Sequence, residues 1–195
     1  MINYIKDQVK KSYETKQDIY NNEDLLNKIQ EVSKLCVSLY KSNKKTILAG
    51  NGGSAADAQH IAAEMVGRYG FDRPSLPSLA LTTDTSALTA IGNDYGYDKV
   101  FSRQLEGMGQ DGDLFIGIST SGNSLNIINA FKSAKEKNII TVALTGCDGG
   151  EMSKIADIAL VVPSNSTPRI QESHILIGHI ICDIIEKEIF GDGVS

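Results

Sequence analysis

The sequence predicts an α/β fold: a doubly wound, Rossmann-like sheet of five parallel strands, preceded by a helical extension. Three observations predict it. Short apolar runs alternate with helical stretches, and several of these runs are continuous, as in strands that are covered on both faces. The first 43 residues differ, because their apolar residues recur only at helical spacing.

The N-terminal extension, residues 1–43, is predicted to form two helices that pack on or between subunits. Apolar residues three and four apart, such as Leu25, Ile29 and Val32, indicate an amphipathic helix. The polar pair Asn21-Asn22 interrupts the pattern and separates the two helices. Residues 44–195 are expected to form one domain with the extension, since no linker or repeat divides the chain.

The apolar runs after the extension predict the strands of the sheet, and the stretches between them predict its helices. The strands are expected at 46–49, 78–81, 113–119, 139–144 and 158–162. The helices are expected at 55–66, 85–91, 98–106, 124–137, 150–155 and, as a long final helix, about 168–190. Such strand–helix alternation is typical of a parallel sheet.

Charge and cysteine content exclude several classes of protein. With 19 Lys and Arg against 24 Asp and Glu, the net charge of −5 does not suit binding of nucleic acid or an anionic membrane through bulk charge. No apolar run approaches the ~20 residues of a membrane span, and the first residues lack the apolar segment of a signal peptide. Three cysteines without a C-x-x-C pair fit a reducing compartment. We therefore expect a cytoplasmic protein with no membrane or nucleic-acid partner.

Two loops are candidates for a binding site, because ligands of a parallel sheet bind beyond the carboxyl ends of its strands. The loop Gly50-Asn51-Gly52-Gly53-Ser54 follows a strand and opens a helix, whose free N–H groups suit an anion. It matches neither the dinucleotide fingerprint nor a Walker loop, so no nucleotide cofactor is expected. A ligand-free turn with a serine cap is the simpler alternative.

The second loop, residues 119–124, places four hydroxyl groups ahead of another helix. Ser119, Thr120, Ser121 and Ser124 surround Gly122 and offer hydroxyl and backbone donors together with the helix dipole. The loop contains no Lys or Arg, which favours the phosphomonoester of a small molecule over a nucleoside triphosphate. A serine-rich turn without a ligand is again the alternative.

The chain has only three histidines, so their positions are informative. His60 and Glu64 are four residues apart on one helix face, close enough to share a proton or a metal, or simply to form a surface hydrogen bond. His179 follows Gly178 in an apolar part of the last helix. Two interpretations fit this position: a site residue and a core histidine. His174 has no such spacing argument and is predicted to be structural.

Helix geometry supports Gln171 less strongly than His179. The two residues are separated by about 12 Å along the axis and about 80° around it, a poor arrangement for sharing one ion. Glu172 would align better with His179 on an ideal helix. A partner helix that bridges the gap would be needed to include Gln171.

In combination, the motifs of the chain resemble those of the phosphoheptose isomerases, members of the sugar isomerase (SIS) superfamily. The similarity runs from Lys45 to Glu188. Its motifs are G-N-G-G-S at 50–54, D-A-Q-H-I-A-A-E at 57–64, G-R-Y at 67–69, G-N-D-Y-G at 92–96, F-S-R at 101–103, G-I-S-T-S-G-N-S at 117–124, L-T-G at 144–146, D-G-G at 148–150, R-I-Q-E at 169–172, and His179.

The resemblance implies the SIS fold and an aldose–ketose isomerase. Sedoheptulose 7-phosphate would become D-glycero-D-manno-heptose 7-phosphate through an enediol, as the first step towards activated heptose for lipopolysaccharide or other surface glycans. It implies that Glu64 is the base that moves a proton between C1 and C2, and that His179 is its acid–base partner. It also implies one zinc ion per site, held by His60, Glu64, Gln171 and His179.

The resemblance also assigns the substrate contacts and the assembly. The phosphate would be held by Ser54, Ser119, Thr120, Ser121 and Ser124, and the sugar by Asn51, Gly52, Gly53, Glu64, Asn93, Asp94 and Gln171. Family members are homotetramers with sites between subunits, so we expect residues of different chains to meet at one site. The segment 163–168 has no residue-by-residue match to the family.

Two other roles remain open for a chain with this resemblance. One is a non-catalytic scaffold that binds the replication initiator DnaA, and the other is a regulatory protein that senses a sugar phosphate. Either would keep the phosphate loop but would not need an acid–base pair. The presence of His60, Glu64, Gln171 and His179 favours the enzyme.

Overall fold

A sheet of five parallel strands lies at the centre of the computed structural model, which describes residues 1–191. The strands are β1 (Thr46–Gly50), β2 (Ser78–Ala80), β3 (Leu114–Ser119), β4 (Ile140–Thr145) and β5 (Ile158–Val161). The α-helices are α1 (Ile2–Tyr20), α2 (Glu23–Lys41), α3 (Gly53–Val66), α4 (Thr85–Tyr95), α5 (Ser102–Met108), α6 (Leu125–Glu136), α7 (Gly150–Ile155) and α8 (Thr167–Phe190). The predicted α/β fold with a helical extension is confirmed.

Helices cover both faces of the sheet, which explains why the strands are apolar throughout. Successive strand residues point to opposite faces, so Leu48 joins one core while Ile47 joins the other. The first core packs α2, α3 and α8 against the sheet, and the second packs α5, α6 and α7 against it. β1 and β3 are buried along their whole length, as the continuous runs predict.

The strand order β2-β1-β3-β4-β5 determines where a ligand can bind. The chain moves outward from β1 to β2 and then returns to place β3 on the other side of β1, with Thr46 paired to Leu114. The switch point therefore lies between the carboxyl ends of β1 and β3, where an open crevice forms. The loops 50–54 and 119–124 both start at this crevice.

Differences from the predicted elements are small and lie at their ends. The stretch 98–106 is wrong as a continuous helix: a short 3-10 turn, Tyr97–Lys99, precedes α5 because Gly96, at φ +89°, redirects the chain. α4 continues to Tyr95, four residues beyond the prediction, and buries none of its residues. The two helices of the extension are separated at Asn21-Asn22, as predicted, and the Asn22 side chain accepts a hydrogen bond from the Leu25 N–H.

The two N-terminal helices differ in how much of their surface is buried. α2 contributes Leu25, Ile29 and Val32 to the first core. α1 touches the rest of the chain mainly through α8, where the Ser12 hydroxyl donates to Glu172, and leaves an apolar stripe exposed. Within residues 1–191, no helix combines the length and apolar character needed to cross a membrane.

Candidate active site

A cleft of about 180 Å³ lies at the carboxyl ends of β1 and β3, where the sequence predicts the binding site. Its lining is formed by Asn51, Ser54, Ile118, Ser119, Thr120, Ser121, Ser124 and Gln171. The amino ends of α3 and α6 both open onto it, so the positive ends of two helix dipoles face the same space. A more open depression of about 270 Å³ adjoins the same loops at Asn51 and Ser124, and two others lie away from them, between α1 and α8 and between α2 and α8.

The loop 50–54 brings the backbone to the cleft without a side chain in the way. Gly52 has φ +57° and stands immediately before α3, a conformation that favours glycine. A Cβ on Gly53 would lie 2.5 Å from the Gln171 amide nitrogen, so the end of the Gln171 side chain, which reaches α3 here, would have to shift to make room for it. Ser54 is buried in the first turn of α3.

The loop 119–124 is held in a tight turn with its hydroxyl groups together. The hydroxyl oxygens of Ser119 and Ser124 lie 2.9 Å apart, and those of Ser119 and Ser121 lie 3.5 Å apart. Gly122 has φ +65°, and a Cβ there would lie 2.0 Å from the Gly149 carbonyl oxygen. The turn therefore presents three hydroxyls and the end of a helix to the cleft, and no Lys or Arg lines it.

Asn51 is fixed by contacts that the sequence analysis does not predict. Its side-chain amide exchanges two hydrogen bonds of 2.9 Å with the amide of Asn126, which is buried on α6. The Tyr97 hydroxyl also donates to the Asn51 side-chain oxygen, at 3.1 Å. These contacts tie the first loop to α6, but a single sequence carries no signal for an amide pair 75 residues apart.

A second group of side chains, the His60–Glu64–His179 cluster, lies further along α3. The His60 Nε2 atom is 3.0 Å from a Glu64 carboxylate oxygen and 3.5 Å from the His179 Nε2 atom. The predicted pairing of His60 with Glu64 is thus present, and α8 adds His179. Ligand atoms of the three residues all lie within 4.8 Å of one another, as expected of a group that could hold one metal ion.

Close packing of α3 on α8 brings the cluster together. Gly178 is buried against Ile61, and a Cβ there would lie 2.6 Å from the Ile61 side chain. A glycine at this position therefore allows α8 to approach α3 and His179 to reach His60. The Tyr69 ring covers the other side of His179, with ring centroids 5.6 Å apart. His60 remains exposed and His179 half-buried, so the cluster is open to a ligand.

The structure does not bring every expected site residue to one place within a chain. Gln171 lines the cleft formed by the loops 50–54 and 119–124, which we call the serine cleft, and lies one helical turn after the start of α8. His179 lies about 12 Å further along the helix axis. Asn93 and Asp94 are exposed near the end of α4, where the Asn93 amide donates to Asp94, and they do not line the cleft.

Two other titratable groups near the site have displaced pKa values. Burial lowers the pKa of His174 from 6.5 to about 4, although its ring also bonds the Thr145 carbonyl oxygen. Among residues 1–191, its Nδ1 atom and the Thr145 hydroxyl have no hydrogen-bond partner. Burial also raises the pKa of Asp57 on α3 from 3.8 to about 6. The burial of His174 agrees with its predicted structural role.

Comparison with known proteins gives one family and closely similar members of it. The SIS domain model matches residues 11–146. The chain is 83% identical over 195 residues to the phosphoheptose isomerase of Sulfurimonas denitrificans, covering 100% of both chains. It is 60% identical over 190 residues to the phosphoheptose isomerase of Aneurinibacillus thermoaerophilus, covering 97% of this chain and 96% of that one.

A solved structure extends the comparison to the fold. The structure of a phosphoheptose isomerase from Neisseria gonorrhoeae superposes with a TM-score of 0.89 at 45% sequence identity. The match covers 95% of this chain and 98% of that chain. The sheet and both groups of side chains described above fall within a fold that is shared over almost its whole length.

Proposed function

The chain belongs to the SIS domain family and, within it, to the phosphoheptose isomerases, and we propose that it converts sedoheptulose 7-phosphate to D-glycero-D-manno-heptose 7-phosphate. The observation that carries this proposal is the His60–Glu64–His179 cluster, which places a carboxylate and two imidazoles within reach of one ligand. An aldose–ketose isomerisation requires such groups, because protons move at both carbon and oxygen.

We assign to Glu64 the removal of the carbon-bound proton and its return. Its carboxylate removes a proton from C1 of the ketose, and the electron pair of that bond forms the C1–C2 double bond of the enediol. His179 gives a proton to the oxygen on C2. Glu64 then returns its proton to C2, while the hydroxyl on C1 loses its proton to His179 and becomes the aldehyde.

We assign the binding of the substrate phosphate to the serine cleft. Ser119, Ser121 and Ser124 donate hydroxyl hydrogen bonds, and the amino ends of α3 and α6 add backbone donors. This explains how a chain of net charge −5 binds an anion without a lysine or arginine in the cleft. Thr120 and Ser54 complete the same lining.

Zinc is the metal we propose for the His60–Glu64–His179 cluster. Two imidazole nitrogens and a carboxylate oxygen are a donor set that suits zinc. A bound zinc ion would polarise the substrate carbonyl and stabilise negative charge on its oxygen. Since Glu64 and His179 occur in both assignments, chelation separates the two roles: isomerisation that survives complete removal of metal contradicts a catalytic zinc.

A homotetramer with sites between subunits is the assembly we propose. Within one chain Gln171 faces the serine cleft rather than the cluster, so a four-residue metal site that includes Gln171 needs this residue from a second copy. α1 supplies a surface for such contacts. Its exposed apolar side chains are Ile2, Tyr4, Ile5, Val9, Tyr13 and Tyr20, an apolar stripe of the kind that marks protein interfaces.

Mixing subunits that are impaired in different parts of the site, the cluster or the cleft, tests whether the site is shared. Hybrids of Glu64→Gln subunits with Ser119→Ala, Ser124→Ala subunits are expected to exceed the activity of either parent at subsaturating substrate, because some sites then combine an intact cluster with an intact cleft. Hybrids of Glu64→Gln with His179→Gln are the control and gain nothing, because both changes fall in the same cluster. Equal activity of the first hybrids and their parents would contradict a shared site.

The turnover assay tests the proposed function itself. Purified protein is incubated with sedoheptulose 7-phosphate, and the aldose product is followed by NMR. We expect D-glycero-D-manno-heptose 7-phosphate to appear. No turnover combined with tight binding to DnaA would favour the scaffold role, which the relatives and the acid–base cluster otherwise disfavour. A cytoplasmic location, where phosphorylated sugars are available, completes the proposal.

A further inference from the structure

We propose that the buried ion pair Arg73–Glu186 is a positioning device that fixes Glu64 relative to His179. This role rests on the proposed function, because it matters for turnover only if these two residues move the protons. Neither Arg73 nor Glu186 belongs to the motifs that identify the family. Both side chains are 1% exposed, so they do not meet the substrate directly.

Arg73 holds the end of α3 that carries the proposed base. Its guanidinium donates to the backbone carbonyl of Glu64 at 2.8 Å and to that of Met65 at 2.7 Å. These carbonyls lie in the last turn of α3, where no further helical N–H is available to them. A cation at this position also interacts favourably with the helix dipole. The backbone of Glu64 is therefore bonded to Arg73.

Glu186 holds the corresponding part of α8. It follows His179 by seven residues, so the two lie within about 20° of one another around the helix. One carboxylate oxygen accepts from the Arg73 Nε–H and from the Tyr69 backbone N–H, each at 2.9 Å. The other oxygen accepts from the Gly70 N–H. The same carboxylate thus places Tyr69, whose ring packs against His179.

The pair therefore connects three parts of the site: the end of α3, the face of α8 that carries His179, and the loop that carries Tyr69. Burial alone would raise the pKa of Glu186, but the N–H groups of Tyr69, Gly70 and Arg73 outweigh it and hold this pKa below its usual 4.5. The carboxylate consequently stays charged at neutral pH. The serine cleft lies at the opposite end of α3, about 15 Å away, and does not depend on the pair.

A second buried carboxylate provides a matched control. Asp113, also 1% exposed, accepts from the Lys45 side chain at 2.6 Å, from the Lys45 backbone N–H at 3.1 Å and from the Gln110 N–H at 2.9 Å. It has the same chemistry as Glu186, one cation and two backbone donors. It lies next to the amino end of β3, at the end of the strands opposite the site.

The experiment compares Glu186→Gln, Arg73→Lys and Asp113→Asn in the full chain, each checked for folding by its thermal transition. With sedoheptulose 7-phosphate, Glu186→Gln is expected to lower kcat by about 10²-fold, since small displacements of catalytic groups have effects of this size. KM should change far less, because the serine cleft is intact. Arg73→Lys keeps the positive charge but loses the paired hydrogen bonds of the guanidinium to the two carbonyls. Its kcat should therefore lie between those of the wild-type protein and Glu186→Gln.

Histidine NMR provides a measure that does not need turnover. With three histidines in the chain, the ring signals of His60, His174 and His179 can be assigned by substitution. Glu186→Gln and Arg73→Lys should shift the signals of His60 and His179 and leave that of His174 in place. Asp113→Asn should lower the thermal transition without moving any of them and without lowering kcat.

The outcomes separate the positioning role from the proposed function. If the folded wild-type protein does not turn over the substrate, the proposed function fails, and the histidine signals still judge the positioning role. Unshifted His60 and His179 signals in folded Glu186→Gln or Arg73→Lys protein would overturn it. Equal losses of kcat in Glu186→Gln and Asp113→Asn would also overturn it, because the effect would then be general destabilisation.

Discussion

The two ends of α3 are built from different chemistry. At its amino end, Ser54 joins the hydroxyls of residues 119–124 and the amino end of α6, and the described residues that line the cleft include no ionisable side chain. Towards its carboxyl end, His60 and Glu64 meet His179 in a group made only of ionisable side chains. Ser54 and Glu64 are about 15 Å apart along the helix axis.

In the proposed mechanism, this difference separates binding of the phosphate from the proton transfers within one helix. Neutral donors bind a phosphate without adding a titratable group that would compete for protons, whereas the cluster provides groups that can exchange them. The separation also explains why a second subunit is proposed: substrate bound in one cleft must reach a cluster, and Gln171 of the same chain points to the cleft. Changes at the two ends should therefore affect different kinetic constants.

The largest effect is expected at the chemical end. Glu64→Gln keeps the shape of the side chain but removes the base, so kcat should fall by about 10²- to 10⁴-fold. The side chain is 23% exposed and its hydrogen bond is to His60, so the thermal transition should hardly move. Steady-state kinetics and circular dichroism measure the two properties.

Asp24→Asn is the control for Glu64→Gln, since it removes an exposed carboxylate that pairs with Lys28 on α2. Its kcat should equal that of the wild-type protein. A Glu64→Gln variant that retains more than about a tenth of wild-type kcat would contradict general-base catalysis by Glu64.

The pH dependence of the free energy of unfolding extends the comparison to two ionisable groups, buried His174 and half-buried Asp57. His174 binds a proton in the unfolded chain near pH 6.5 but in the folded chain only near pH 4. The free energy of unfolding should therefore fall as pH decreases across this window, by up to about 3 kcal/mol. Asp57 acts in the opposite direction: its folded pKa of about 6 exceeds the unfolded 3.8, so its protonation favours folding as pH decreases. Asp57 is half-buried, so its effect is smaller than the shift suggests.

Asp57→Asn separates these contributions. Without the opposing carboxyl group, the free energy of unfolding should decline more steeply between pH 6.5 and 4.5 than in the wild-type protein. Denaturant titrations at several pH values measure it. The Ser42→Ala variant is the control, because this exposed hydroxyl donates to the Ser38 carbonyl oxygen and its loss removes no titratable group, so the slope should stay unchanged. Parallel curves for wild type and Asp57→Asn would contradict the opposing contributions.

The smallest effect is expected at the binding end. Ser119→Ala or Ser124→Ala removes one hydroxyl donor to the phosphate, which should raise KM by about tenfold and leave kcat nearly unchanged. Ser133→Ala is the control, because this serine on α6 bonds Glu106 away from the cleft. A serine variant with unchanged KM and reduced kcat would contradict the division of roles between the two ends of α3.

Local patterns in the sequence account for most of the fold and part of the site. The continuous apolar runs predict β1 and β3, and the strand order seen in the structure brings the two loops together. Helical spacing predicts the pairing of His60 with Glu64. The Arg73–Glu186 pair has no such signal, because its partners are 113 residues apart and meet only after α3 and α8 have packed.

Gln171 also shows that a tertiary contact is not predictable from local sequence patterns. Its distance from His179 is fixed by the helix and was predictable, but the cleft that it lines forms only where the loops 50–54 and 119–124 meet α8. Residues 45–190 thus follow the predicted alternation, while the direction of individual side chains depends on tertiary contacts. The expected roles of Asn93 and Asp94, which lie on exposed α4, remain proposals.

Proton exchange with solvent tests most directly the central claim that Glu64 moves a proton between C1 and C2. Wild-type protein is given sedoheptulose 7-phosphate in D₂O, and deuterium is followed by NMR at C2 of the product and at C1 of the remaining substrate. We expect deuterium at both carbons with the wild-type protein, because the Glu64 carboxyl group, 23% exposed, exchanges its proton with solvent before it returns one to carbon, and at neither carbon with Glu64→Gln. Exchange at the wild-type rate in folded Glu64→Gln protein would contradict it.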